Sequence, residues 1–258
     1  MLNKLFKLEF KWVNKFALYF GGGALLLGLA SRLTTDLTSV AGVVVHNTLQ
    51  SLAISAAVGL IANVLARSIT RFRNTLIKDE AYLLRTLPVE PSVHWNSHVL
   101  SFALSMLICL ITLLGVLALL FMDAKLWETI KNLFADNTIA LIFLALTLIF
   151  EITTLGLSIF TGTILGRRTS KNRNCAIAFY TIAFYWGAQL LLLGLAFVLG
   201  QLFPSFANIF SATDDMPFLD VTKTFQNFFV LSGLFYALFS VVLYFVGKHA
   251  LQKGVDVD

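Results

Sequence analysis

Among residues able to do chemistry, Glu151 is conspicuous because it lies inside an apolar run, LIFEITTLG. A charge at the centre of a bilayer costs about 2.5–3.5 kcal/mol on insertion scales, so a carboxyl there faces something other than lipid. Two readings are open: a substrate path, or a protonated or hydrogen-bonded glutamate that only holds helices together. His46, Asn47 and Gln50 in the second apolar run, with Gln189 in the fifth, fit the same pair of readings as a candidate translocation path or as interhelical hydrogen-bond partners. His94 and His98 are spaced i, i+4 and share a helix face, but no third ligand lies near in sequence, so no metal site is expected. No H-E-x-x-H, no G-x-S-x-G and no paired intramembrane carboxylates occur, and no catalytic residue is expected. The phosphate-cradling G-x-x-x-x-G-K-[ST] loop is also absent, so any ATP-driven work would need a second polypeptide to bind ATP and Mg. The chain itself is expected to be neither an enzyme nor a cofactor carrier.

The elements that would carry these residues are membrane helices. Hydrophobic residues make up 58% of the 258 residues, charged residues only 13%, and there are 24 Phe; the mean hydropathy is +0.82. A soluble domain carries about a quarter charged residues. This chain has too little polar surface to cover a water-facing globule, and lipid is the solvent that tolerates the remainder. A span needs about 20 apolar residues. Six segments qualify: 16–33, 40–65, 99–121, 139–165, 176–202 and 228–246. The first is the weakest, because Gly21, Gly22 and Gly23 lower its helix propensity. The fold class expected is therefore an all-α integral membrane protein, a single transmembrane domain over 1–258.

Basic residues orient the spans. One side holds Lys4, Lys7, Lys11 and Lys15, then Arg67, Arg71, Arg73, Lys78 and Arg85, then Arg167, Arg168, Lys171 and Arg173, and last Lys248 and Lys253. The other holds only Arg32, Lys125, Lys131 and Lys223, beside acids that include Asp123, Asp214, Asp215 and Asp220. The positive-inside rule makes the rich side cytoplasmic and places both termini there. The net charge of +5 belongs to these loops and does not point to nucleic acid. Cys109 and Cys175 lack metal-ligand spacing and are expected as free thiols. No cleavable signal is expected in the opening segment.

Residues 1–15, MLNKLFKLEFKWVNK, repeat apolar positions at helical spacing with lysines between. An amphipathic helix in the cytoplasmic interface, lysines near anionic headgroups, is favoured over a plain extension of the first span. KLWETIKNLF in the 122–138 connection reads as a short amphipathic helix, with Trp127 an interface anchor. The 203–227 connection, rich in Phe with Pro204 and Pro217, reads as a segment dipping into the outer interface or capping the bundle. Small residues four apart, Ser51–Ser55–Gly59 and Ser158–Gly162–Gly166, mark close helix contacts, either within the bundle or between subunits.

The 67–98 loop, RSITRFRNTLIKDEAYLLRTLPVEPSVHWNSH, is long for a compact bundle and mixes charge with apolar residues. Leu76, Leu83 and Leu87 fit a helical stripe that Pro88 and Pro91 end. Such a helix on the cytoplasmic side suits docking into a groove on a soluble partner. A plain linker along the membrane surface is the alternative.

Arg71–Val89, with Asn74, Leu76, Asp79, Glu80, Tyr82, Leu83 and the closing Thr86-Leu87-Pro88-Val89, resembles a loop of bacterial type-2 ATP-binding-cassette exporter permeases, a class common in Gram-positive bacteria. In that family a D-E-G-Y-L…T-L-P-V run after the second span forms the coupling helix seated on the ATPase. Here Ala81 stands in place of the glycine, which puts the local turn in doubt but not the docking. The opening MLNKLFKLEFKW is similar to that family's basic amphipathic first helix. The resemblance is specific over these segments and otherwise rests on span count and loop sides. It implies a permease subunit in the bacterial cell membrane, working as a homodimer or heterodimer with cytoplasmic ATPase subunits. Leu76, Asp79, Glu80, Tyr82, Leu83 and Leu87 would then be docking residues. The greasy spans and Phe-rich outer connection favour an amphipathic or hydrophobic cargo, and permeases exporting phenol-soluble modulins or lantibiotics have this size and layout, so peptide export is the specific expectation. The rivals are an ion-coupled secondary transporter or channel using Glu151, and a non-transporting membrane anchor for a cytoplasmic partner.

Overall fold

A bilayer offers the backbone no hydrogen-bonding partners, so a chain this apolar must satisfy its amides within helices. The structure, a computed structural model, describes residues 2–35, 39–76, 90–121, 124–168, 172–202 and 218–253, with side chains omitted at Leu76, 124–141 and 218–226. All regular elements among the described residues are helical: α1 (Leu2–Val13), α2 (Ala17–Leu33), α3 (Val40–Leu76), α4 (Pro91–Phe121), α5 (Ala124–Arg167), α6 (Arg173–Leu202) and α7 (Phe218–Gln252). Five of them are long and apolar enough to cross a membrane; α1 and α2, bent by 50°, form a pair that would bring the number to six. This is a multi-pass helical membrane protein. The expected interfacial helix is a separate element, not a straight extension of the first span.

Several helices outrun their apolar windows. α3 is a 37-residue helix, about 55 Å long at 1.5 Å per residue, so its last turns extend beyond the apolar run at 40–65. α4 begins at Pro91, a residue well suited to the first turn because its missing N–H would be unpaired there anyway. KLWETIKNLF is not a short separate helix: it opens the continuous α5, because no proline or glycine interrupts the chain from Ala124 to Leu155. Likewise 218–227, expected within a connection, begins α7 just after Pro217. The remainder of that connection lies outside the described residues.

The chain divides into two compact units, 1–129 and 130–258, each described by itself. In the first, α2, α3 and α4 meet over small side chains. Ala24, Ala53, Ala57 and Val116 are buried together, with Leu27, Ala56, Leu113 and Leu120 packed around them. Within this unit Ser51 and Ser55 are exposed and the contact row on α3 is Ala53–Ala57–Leu60–Val64, so the two serines form no contact row inside it. Apolar bulk drives this choice less than shape, since lipid is as apolar as leucine and packing must come from close approach. The triple glycine stays helical; Gly21 faces Leu60 and Thr112, while space is open beside Gly22 and Gly23.

In the second unit, the Ser158–Gly162–Gly166 row does mark a close contact, within the unit. A Cβ on Gly162 would lie 2.8 Å from the Thr181 nitrogen, and one on Gly166 would lie 2.6 Å from the Ile177 Cα. Only glycine permits α6 that near. α5 and α7 run parallel, joined by a ladder of polar contacts. Thr147 Oγ1 lies 3.2 Å from Ser232 Oγ, and Thr154 Oγ1 lies 2.8 Å from Ser240 Oγ. Thr161 donates to the Leu243 carbonyl at 3.4 Å, and Arg168 donates to the Ala250 carbonyl. Positions 147, 154, 161 and 168 recur every seven residues, the interval of helices crossing at a shallow left-handed angle of about 20°.

Candidate functional site

Two polar clusters stand out. The first ties together the basic-side ends of α1, α3 and α4. Glu9 is buried, at 4% exposure, on the face of α1 opposite its lysines. Arg71 on α3 reaches it twice, Nε to Oε2 at 2.9 Å and Nη2 to Oε1 at 3.2 Å. His98 on α4 places Nδ1 3.6 Å from the same carboxylate, and its Nε2 lies 2.9 Å from Thr75 Oγ1. The fork-on-carboxylate geometry makes the strongest type of side-chain hydrogen bond. Phe72 packs its ring edgewise on His98 and on Trp95, so the pair is sealed by aromatic rings. A turn earlier, the Arg67 guanidinium stacks 4.3 Å over the Trp12 ring and its Nε donates to the Trp12 carbonyl at 3.1 Å. Asn14 Nδ2 donates to the Phe10 carbonyl and to Ser105 Oγ, at 3.0 and 2.6 Å, which pins the α1–α2 bend to α4.

This cluster sits at the root of the 77–89 connection: α3 delivers Arg71 and Thr75 just before it, and α4 delivers Trp95 and His98 just after. Of the docking residues expected from sequence, Leu76 is the last residue of α3, and Asp79, Glu80, Tyr82, Leu83 and Leu87 lie outside the described residues. His98 is engaged with Glu9 and Thr75, while His94 Nε2 is buried without a hydrogen-bond partner among the described residues. No group of three metal-ligating side chains forms there.

The second cluster joins the spans of the second unit. Tyr236 on α7 donates to Gln189 Oε1 at 2.7 Å, and Gln189 Nε2 on α6 donates to Glu151 Oε1 on α5 at 3.2 Å. Tyr236 is buried beside Ala188 and Leu192, with Phe150, Leu231, Phe235 and Phe239 around them. The structure thus brings Glu151 and Gln189 together and adds Tyr236, which sequence reasoning did not single out. The other path candidates lie in the first unit. There His46 Nδ1 is 2.9 Å from the Ser31 carbonyl, tying α3 to the end of α2. Asn47 is exposed, and its carbonyl accepts from Ser51 Oγ; Gln50 is half-buried. Cys109 and Cys175 are free thiols.

Glu9 was legible in principle. It is the lone acid in a lysine-rich helix and falls on the apolar face, where a charge needs a partner. Tyr236 had no such signal, because one tyrosine among many span aromatics is ordinary. Comparison with protein-family models, curated proteins and solved structures finds no match.

Proposed function

We propose that this chain is the membrane-spanning permease subunit of an ATP-driven exporter, and that the connection after α3 docks a separate cytoplasmic ATPase. The observation that carries this reading is mechanical. α3 runs unbroken out of its apolar window to Leu76, and the clamp of Glu9, Arg71, Thr75 and His98 joins the root of the connection to α1 and α4. A push on that connection would reach three helices as one body. Together with a helix-compatible loop that mixes charged and apolar residues, and no nucleotide-binding motif, this fits a bundle moved by a partner. The cargo in this reading is amphipathic or hydrophobic, a peptide being the specific case, and the chain acts as one of a pair of permease subunits with both termini in the cytoplasm.

The test is gentle purification of the full chain from its native membrane, which should bring a stoichiometric soluble ATPase with it. Tyr82→Asp combined with Leu83→Asp should release that ATPase while the permease remains inserted. An ATPase that stays bound after this change would remove the docking assignment.

A second reading, ion-coupled transport through Glu151, has one observation in its favour, the linked chain Tyr236–Gln189–Glu151 across three spans. It expects proton-gradient-dependent transport by the purified chain alone, abolished by Glu151→Gln. A purely structural glutamate would leave transport intact in that variant, since glutamine keeps a hydrogen-bonding side chain of the same shape.

A further inference from the structure

The outward face of α1 has a composition that its inward clamp does not explain. Lys4, Lys7, Lys11 and Lys15 are all exposed and fall on one side, opposite Glu9 and Val13. Alongside them runs an apolar strip made by Leu8, 55% exposed, and the half-buried Trp12. Together these six residues line an open groove of about 560 Å³. We propose that this groove is a discrete binding site for an anionic phospholipid, the headgroup held by the lysine ammoniums and an acyl chain lying along Leu8 and Trp12.

Three observations support that occupant. First, the level is right. α1 is held by Arg67 and Arg71, which follow the apolar run at 40–65 directly, and by His98, which precedes the run at 99–121. The helix therefore lies at the depth where lipid phosphates sit. Second, the chemistry matches an amphiphile. Four ammoniums around an apolar floor suit a molecule that is anionic at one end and apolar at the other; a free inorganic anion would use only the rim, and its hydration shell would be stripped against Leu8 for no gain. Third, the helix that carries the groove is held in place. Arg67 stacks on Trp12 and the Glu9–Arg71 pair anchors the opposite face, so the backbone presenting the lysines is already positioned and need not be ordered on binding. An amphipathic helix of the ordinary interfacial kind inserts its apolar face into lipid. Here that face is spent on protein, against α3 and α4, and the lysine side with its embedded leucine is what remains for lipid. The site does not depend on an ATPase partner.

The full chain in nanodiscs of phosphatidylcholine doped with phosphatidylglycerol tests this, with native mass spectrometry and titration reading which lipid is retained. Phosphatidylglycerol should be retained over phosphatidylcholine in a discrete stoichiometry. Lys7→Gln with Lys11→Gln should weaken retention more than about tenfold, given roughly 1 kcal/mol per basic residue near an anionic surface. Lys7→Arg with Lys11→Arg, which keeps the charge, should restore it and shows that any loss is not misfolding. Leu8→Ser leaves all four lysines in place and should still weaken retention several-fold. Unchanged retention in the Leu8→Ser protein would mean diffuse charge attraction and would overturn the site. Displacement of the lipid by millimolar inorganic phosphate would assign the groove to a free anion instead, and equal retention of both lipids would remove any anion preference.

Discussion

Replacing Glu9 with alanine is expected to destabilise the first unit by about 3–5 kcal/mol, the usual cost of removing one partner from a buried ion pair. Arg71 would then keep its charge at 13% side-chain exposure with the carboxylate gone, and His98 would lose its acidic neighbour. The loss should appear as a lower midpoint in denaturant unfolding of the purified chain in mild detergent, read by the fluorescence of Trp12 and Trp95 on either side of the pair. Arg71→Ala should cost a similar amount, because it leaves the carboxylate buried. The double change Glu9→Met with Arg71→Leu should recover most of the stability, since two apolar side chains need no pairing. A single Glu9→Ala change that shifts stability by less than about 1 kcal/mol would show the pair to be no better than a solvated one and would remove the clamp. If α1 is held as firmly as the geometry indicates, the same variant should also loosen the root of the 77–89 connection and uncouple any partner docked there.

Gly166→Leu should be the most damaging change in the second unit. The site has no room for even a methyl group, because a Cβ would fall 2.6 Å from the Ile177 Cα, and a backbone cannot swing aside as a side chain can. α5 and α6 would have to separate along the whole contact, losing the packing at Gly162 as well. Overpacking of ordinary cores costs about 1–3 kcal/mol, and contact with backbone at this distance places Gly166→Leu at or above that range. Gly22→Ala and Gly23→Ala are the matched controls: nothing lies within 4 Å of a Cβ at either position, and alanine favours helix by up to about 1 kcal/mol. Unfolding midpoints should fall steeply for the first substitution and hold or rise for the controls. Equal behaviour at Gly166 and Gly22 would refute the close contact.

Much of the architecture was readable from residue order because the bilayer imposes it. The runs at 40–65, 99–121, 139–165, 176–202 and 228–246 each lie inside an observed helix, and the triple glycine marked the first run as the weak one. Helix ends were less readable. An apolar window locates the part of a helix that lipid solvates, whereas α3 and α4 continue as helix where water or protein takes over, so the window stops short of Leu76 and starts late of Pro91. The small-residue rows show the same division. Gly162 and Gly166 have no side chain, and a neighbouring helix used the space; Ser51 and Ser55 looked equivalent in spacing, yet α3 turned its alanines inward.

By itself, then, the sequence determined that this chain lives in a membrane as apolar helices, because that is a consequence of composition and of solvation taken one segment at a time. Only tertiary structure decided that Glu9 would meet Arg71 across 62 positions, that Gln189 would bridge Glu151 to Tyr236, and that hydroxyls seven apart on α5 would face α7. Such pairings depend on the rotation and depth of one helix against another, and spacing within a single helix carries no information about either.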